Sequence, residues 1–388
     1  MKKKLTQECG VCFPLLFAYV VTAALMTGCA TTPTPEPQAQ GTAFYPPLPN
    51  PPRIQHLKTI TGERDLGAPV SGIAKFVLGD EAKTQQLQQP YGVGVYAGKL
   101  YVVDSRAGGL AVFDLVQQRF ELLNGAPNGR MKRPINITID SDGTKYVTDT
   151  GRDQILVFDR GDRYVDAYGE PNQFKPVATA ISGDRLYVTD IQHHEVHVLE
   201  KHTGKLLFKF GSAGSKLGEL FHPTNIAIGA DGDVYVVETS NFRVQRFTAD
   251  GKPIRIYGDF GNERGNFTRP KGIALDRNGR MYVGDSAFEN VQISDGEGRL
   301  LLFFGQPGGN VEGLNLPVGI SIDYENVRYF QADADPHFNI EYLIFVVSQF
   351  GLNKVDVFGY GKMSGMDYAS DEAAAKKSMT KPVAKSAP

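Results

Sequence analysis

The chain has 388 residues, with 41 Lys and Arg against 43 Asp and Glu, and so a formal net charge of −2 at pH 7. No basic field is available to attract nucleic acid, which argues against DNA or RNA partners. Three cysteines and no tryptophan accompany a hydrophobic share of 41%, so a core of ordinary apolar residues, and not disulfides, must hold the fold.

Lys2, Lys3 and Lys4 open the chain, and a mostly apolar run follows from Val11 to Leu25, too short to span a bilayer comfortably. Leu25-Met26-Thr27-Gly28-Cys29 closes that run. The arrangement resembles a bacterial lipoprotein signal with its lipobox, which implies cleavage after Gly28 and lipid attachment at Cys29. Several acyl chains hold a protein to a membrane where one does not. The expected location is therefore extracytoplasmic and lipid-anchored. Ala30 and Thr31 follow with no Asp, which implies the outer membrane if the source is Gram-negative. Cys9 and Cys12 lie in the segment to be removed, and Phe13 stands where a c-type haem site needs His. No cofactor is expected.

Ala30 to Arg53 holds eight prolines and no apolar periodicity, which predicts a semi-extended tether. From there the chain repeats itself. Prolines at Pro90, Pro134, Pro176, Pro223, Pro270 and Pro317 open units spaced by 44, 42, 47, 47 and 47 residues. Each proline leads into a short apolar strand, such as Ile135 to Ile139 or Gly272 to Leu275. Asp142-Gly143, Asp231-Gly232 and Asn278-Gly279 then supply tight turns. The second strand is the most regular: Tyr101-Val102-Val103-Asp104, Tyr146 to Asp149, Tyr187 to Asp190, Tyr235 to Glu238 and Tyr282 to Asp285. The sixth copy departs as Phe345-Val346-Val347-Ser348. A third strand (Arg243 to Phe247) and a fourth (Lys205 to Phe210) complete the unit.

Four antiparallel strands repeated six times predict an all-β, six-bladed β-propeller. The sixth unit supplies three strands, and Ile54 to Ile60 reads like the missing fourth, so the N-terminal strand is expected to close the last blade. The expected division is a signal over 1–28, a lipidated tether over 29–53, the propeller over 54–360 and a disordered tail over 361–388. Gly67 to Gln88 and Asp323 to Glu341 are insertions in the pattern, the second on the face opposite the strand entrances.

The repeat consensus resembles the NHL repeat family, most closely from His222 to Gly251, with Asn241-Phe242-Arg243-Val244-Gln245 in the expected place. The absence of tryptophan argues against WD40 blades. The resemblance implies a bacterial envelope lipoprotein that serves secretion, polysaccharide or multihaem electron-transfer systems.

The chain enters each inner strand at the proline and leaves each second strand at the acid, so both loop sets share one face. That face collects Tyr91, Arg106, Arg133, Asn136, Arg152, His193, His194, His222, Asn225, Phe242, Arg269, Lys271, Phe288 and Phe350. Asp104, Asp149, Asp190 and Asp285 read as turn caps, one per unit, and Arg243 as the partner of such an acid. His193, His194 and His222 read as solvated loop histidines and no metal is expected, although these three are the set that could share one, whereas His197, in the slot of Gln245 and Gln292, is expected to point away from them.

Peptidyl-hydroxyglycine lyases are NHL propellers whose zinc histidines follow the repeat's proline. Here Tyr91, Ile135, Val177, Thr224, Lys271 and Val318 occupy those positions, which argues against that chemistry. No catalytic residues are assigned. Variable loops on a rigid repeat instead suit a non-catalytic scaffold or accessory subunit that binds an envelope or extracellular protein. The alternative is a metal-dependent lyase or hydrolase with its site in the channel, built on Asn136 and Asn225.

Overall fold

The computed structural model describes residues 43–66, 85–308 and 313–368. These form six blades, each a sheet of four antiparallel strands with one extra strand on the last. The inner strands are Pro90–Tyr96, Pro134–Ile139, Pro176–Ser182, Pro223–Ile228, Pro270–Leu275 and Pro317–Asp323. Each lies against the inner strands of both neighbouring blades, and the sixth returns to the first, which closes the ring. The chain is a six-bladed β-propeller.

The proline has a positional reason. It carries no N–H, so it suits the first residue of a strand at a sheet edge. The core lies between blades. Tyr187, Val198 and Phe210 of blade three pack on Val234, Val236 and Phe247 of blade four, and all are buried. The repeated tyrosine ties the ring together by satisfying its buried hydroxyl on the next blade. Tyr101 OH donates to Asp162 Oδ1 at 2.9 Å, Tyr146 OH to the Lys201 carbonyl at 2.9 Å, and Tyr187 OH to the Ala249 carbonyl at 2.8 Å.

The closing strand is where the sequence places it. Ile54–Ile60 pairs antiparallel with Val355–Met363, the third strand of blade six, matching Ile60 to Val355 and Ile54 to Tyr360. Buried in this seam, Asp356 accepts a hydrogen bond from Thr59 Oγ1 at 2.6 Å, and His56 Nε2 lies 3.3 Å from the same oxygen.

The ordered sheet is larger than the bounds 54–360 allow. Phe44–Tyr45, inside the expected tether, pairs with Ile54 and Gln55 as a fifth strand. Tyr368, inside the expected tail, is buried, and its hydroxyl donates to the Pro52 carbonyl at 2.8 Å. Proline-rich and lysine-rich composition concealed these aromatic anchors. The signal, residues 29–42 of the tether with Cys29, and 369–388 of the tail lie outside the described residues, as does 67–84 of the first insertion. The second insertion, between Asp323 and Phe338, reaches under blade one, where the Gly98 N–H donates to Asn326 Oδ1 at 2.9 Å.

Candidate functional site

The face where inner strands begin, here the upper face, is organised by the acids at the ends of the second strands. Asp149 is wholly buried and accepts four backbone N–H groups, from Lys132 at 2.7 Å, Arg133 and Gly151 at 2.9 Å, and Arg152 at 3.1 Å. Asp104 and Asp285 do the same work on Gln88 and Gln89, and on Thr268 and Arg269. These carboxylates cap turns and offer nothing to a substrate. In the sixth blade Ser348 Oγ takes the single N–H of Asn315 at 3.0 Å, a weaker version of the same device. Arg243 Nε donates to Glu238 Oε1 at 2.7 Å, as the pairing reading expects.

Two of the residues assigned to the channel span it. Asn136 Nδ2 donates to Asn225 Oδ1 at 2.8 Å, from blade two to blade four, and Asn225 Nδ2 reaches the Val318 carbonyl of blade six at 3.4 Å. Their amides are committed to each other and to the wall. Close approach reinforces the plug: a Cβ on Gly319 would stand 2.2 Å from the Tyr91 carbonyl oxygen. Tyr91 is buried, and Lys271 Nζ lies 3.2 Å from its hydroxyl, so this pair seals the mouth between blades five and one.

The remaining assigned residues lie on loops around that mouth. Arg106, Arg133 and Arg269 are exposed, while Arg152 is held by Gln154 Oε1 and the Arg130 carbonyl, both at 2.9 Å. Phe242 packs on Phe260 with ring centroids 4.7 Å apart, Phe288 is half-buried, and Phe350 is exposed. Phe260, Phe221, Leu217 and Leu352 join them as exposed apolar side chains on the same face. Sequence reasoning missed these four, because a large apolar side chain in a loop carries no periodicity to mark it.

The histidines divide differently from expectation. His194 and His222 do pair, with ring centroids 5.0 Å apart, and the His222 N–H donates to His194 Nδ1 at 3.1 Å. Burial, and then the neighbouring His222, hold the His194 imidazole below its usual pKa. His193 does not join them in a metal set. Its Nδ1 lies 2.6 Å from Asp190 Oδ2. His197, expected to point away, is buried and faces the same carboxylate oxygen at 3.3 Å, with Glu195 Oε1 2.9 Å from its Nε2. The reason is register: Asp190 pairs with Glu195, and His197, two residues on, lies on the same side of the sheet as Glu195. Burial pushes the Asp190 carboxyl up, but His197, the Lys175 N–H and His193 outweigh it and hold the group well below the usual carboxylate range. Lys209 Nζ completes the cluster, 2.7 Å from Glu195 Oε1.

No known family model matches the chain. Over 102 residues it is 26% identical to a probable peptidyl-α-hydroxyglycine α-amidating lyase of Caenorhabditis elegans. That match covers 25% of this chain and 29% of the relative, so the chain spans less than a third of the length of that protein. A gluconolactonase of Xanthomonas campestris superposes with a TM-score of 0.52 at 15% identity, over 81% of this chain and 91% of the enzyme. An auxiliary nutrient-binding protein of Bacteroides ovatus gives a TM-score of 0.52 at 13% identity, over 70% and 69%. At those identities the likeness shows the fold alone. One fold here serves an enzyme and a binding protein, so function must be argued from the site.

Proposed function

We propose that this chain is a lipid-anchored propeller of the bacterial cell envelope, of NHL-repeat type, whose upper face docks an envelope or extracellular protein. It acts there as a non-catalytic scaffold or accessory subunit. One observation carries the reading: Leu217, Phe221, Phe260, Phe350 and Leu352 are 50%, 38%, 62%, 49% and 76% exposed on a single face. Phenylalanine is enriched at protein interfaces, and exposed Arg106, Arg133 and Arg269 add a second residue type of that kind. The anchor rests on the Leu25 to Cys29 motif.

The test is cross-linking in intact cells with the tagged full-length chain. The reading expects one near-stoichiometric envelope or extracellular partner, cross-linked through Lys132 or Lys216 of the upper-face loops and lost in Phe260→Asp. Enrichment of nothing over background, or cross-links confined to the opposite face, overturns it. Recovery of the protein in the soluble fraction overturns the anchor separately.

The second reading, a metal-dependent lyase or hydrolase working in the channel, draws support from the amidating-lyase relative. Against it stand the lack of histidine after the six repeat prolines and the commitment of Asn136 and Asn225 to each other. Metal-dependent turnover abolished by Asn136→Ala would establish it over the scaffold.

A further inference from the structure

Blade three breaks a rule that four other blades keep. In those four, one oxygen of the acid that ends the second strand accepts the N–H of the residue two places before the proline. The donors are Gln88 to Asp104 Oδ2 at 2.6 Å, Lys132 to Asp149 Oδ2 at 2.7 Å, Phe221 to Glu238 Oε2 at 2.8 Å and Thr268 to Asp285 Oδ2 at 2.7 Å. The corresponding residue in blade three is Phe174, and its N–H makes no hydrogen bond to Asp190. The backbone amides of Lys175, Gln192 and His193 all go to Asp190 Oδ1. Its Oδ2, on a wholly buried side chain, faces imidazole nitrogens instead.

The third strand of the same blade is equally unusual. The two positions held by Glu195 and His197 are Gly109 and Ala111 in blade one, Gln154 and Leu156 in blade two, Arg243 and Gln245 in blade four, and Asn290 and Gln292 in blade five. Blade four places donors there, which satisfy its acid directly: Arg243 Nε and Gln245 Nε2 each reach Glu238 Oε1 at 2.7 Å. Blade three places a second carboxylate and one imidazole. Two carboxylates then converge on a single ring nitrogen that carries at most one proton, a like-charge arrangement that a cation relieves.

We propose that Asp190 Oδ2, Glu195 Oε1 and His197 Nε2 form a binding site for a divalent first-row transition-metal ion, with zinc the best fit and the fourth position left to solvent, while His193 Nδ1, 2.6 Å from Asp190 Oδ2, competes with the ion for that oxygen. The three atoms lie within 4.8 Å of one another. Around a tetrahedral zinc with bonds of about 2.0–2.1 Å, ligand atoms stand roughly 3.3 Å apart. The His197–Glu195 and His197–Asp190 separations are 2.9 and 3.3 Å. The supporting groups are of the kind that orient ligands. Asp190 is fixed by its three amides on Oδ1, and the His197 ring is stacked on Phe174 with centroids 5.1 Å apart and planes at 20°. Lys209 supplies one positive charge to Glu195 and competes with the ion for Oε1. This site lies at the end of a second strand and not in the channel, and it does not depend on what the upper face docks.

The test uses the full-length protein in detergent, stripped with a chelator and titrated with Zn²⁺ by calorimetry and with Co²⁺ by visible absorption. The expected result is one equivalent bound, with the d–d bands of four-coordinate cobalt. Glu195→Gln and His197→Gln should each weaken binding by at least about 100-fold, beyond the span that outer-shell partners alone command. His197→Gln installs the residue that blade four carries in this slot, and thermal unfolding without metal checks that the blade is intact. Lys209→Ala should tighten binding, which a purely structural ion pair does not predict, and His202→Gln should change nothing. No saturable uptake by the wild type, or uptake unchanged in both Glu195→Gln and His197→Gln, overturns the site.

Discussion

Asp149 offers a direct test of whether the repeated acids cap turns or do chemistry. Asp149→Ala removes a wholly buried carboxylate and strands the four amides of Lys132, Arg133, Gly151 and Arg152. A hydrogen bond to a charged partner contributes about 1.5–3 kcal/mol. Lys132, Arg133 and Gly151 are exposed, so water recovers part of each loss. The expected cost is therefore about 3–5 kcal/mol, well short of four full bonds. Asp149→Asn separates the contributions further. Its amide oxygen can still accept the three N–H groups now on Oδ1, but its NH₂ replaces Oδ2 and meets the Lys132 N–H donor to donor. One unsatisfied contact costs about 1–3 kcal/mol, so the asparagine variant should lie between wild type and alanine. Urea unfolding measures both, as a shift in midpoint at constant slope. An alanine variant that unfolds at the wild-type midpoint yet loses partner binding or turnover would refute the capping argument and make Asp149 a functional group.

Other perturbations follow from the same contacts. Lys145 is wholly buried with Nζ 2.7 Å from Asp162 Oδ1, so Asp162→Ala leaves its charge to three carbonyls and should cost about 3–5 kcal/mol in urea unfolding. Burial raises the Asp162 carboxyl, but Lys145 and Lys99 outweigh it and the net shift is downward. Its stabilisation is therefore present above the unfolded value near 3.8 and lost as pH falls through the lower folded value, and that loss should be missing from the acid titration of Asp162→Ala. Asp356 behaves oppositely: burial, only partly offset by His56 and Thr59, raises its carboxyl. The folded state holds that proton more tightly, so stability falls as pH rises from 3.8 through the raised value, and Asp356→Asn should abolish this component of the pH–stability curve. Gly319→Ala drives a Cβ to 2.2 Å from the Tyr91 carbonyl, and thermal unfolding should register a loss of about 1–3 kcal/mol, or more if the backbone of blade one cannot yield.

Blade number and strand order were legible in the chain because antiparallel blades pair sequence neighbours, and the closing role of Ile54–Ile60, whose partner Val355–Met363 lies at the far end of the chain, was legible because the sixth unit lacks a fourth strand. Each Tyr-Val-x-Asp strand is preceded and followed by its own partners, so periodicity and turn residues are enough. The capping acids were legible for the same reason: Asp149 bonds Gly151 and Arg152 within three residues, and Lys132 and Arg133 across one hairpin. What depended on long-range packing was not. Asn136 and Asn225 are 89 residues apart and meet only because blades two and four face one channel. Tyr368 finds Pro52 across 316 residues, which no local composition announces. His197 sits at a position that alternation reads as outward, and its approach to Asp190 depends on side-chain choice at Glu195 and on Phe174 failing to fill the cap. The sequence alone determined the architecture, since the contacts that define five blades are local and the sixth unit lacks the one strand that Ile54–Ile60 supplies. Only the tertiary structure decided which side chains of different blades, and which neighbours in one blade, share a carboxylate, because those meetings are set by ring closure and by the exact reach of each side chain.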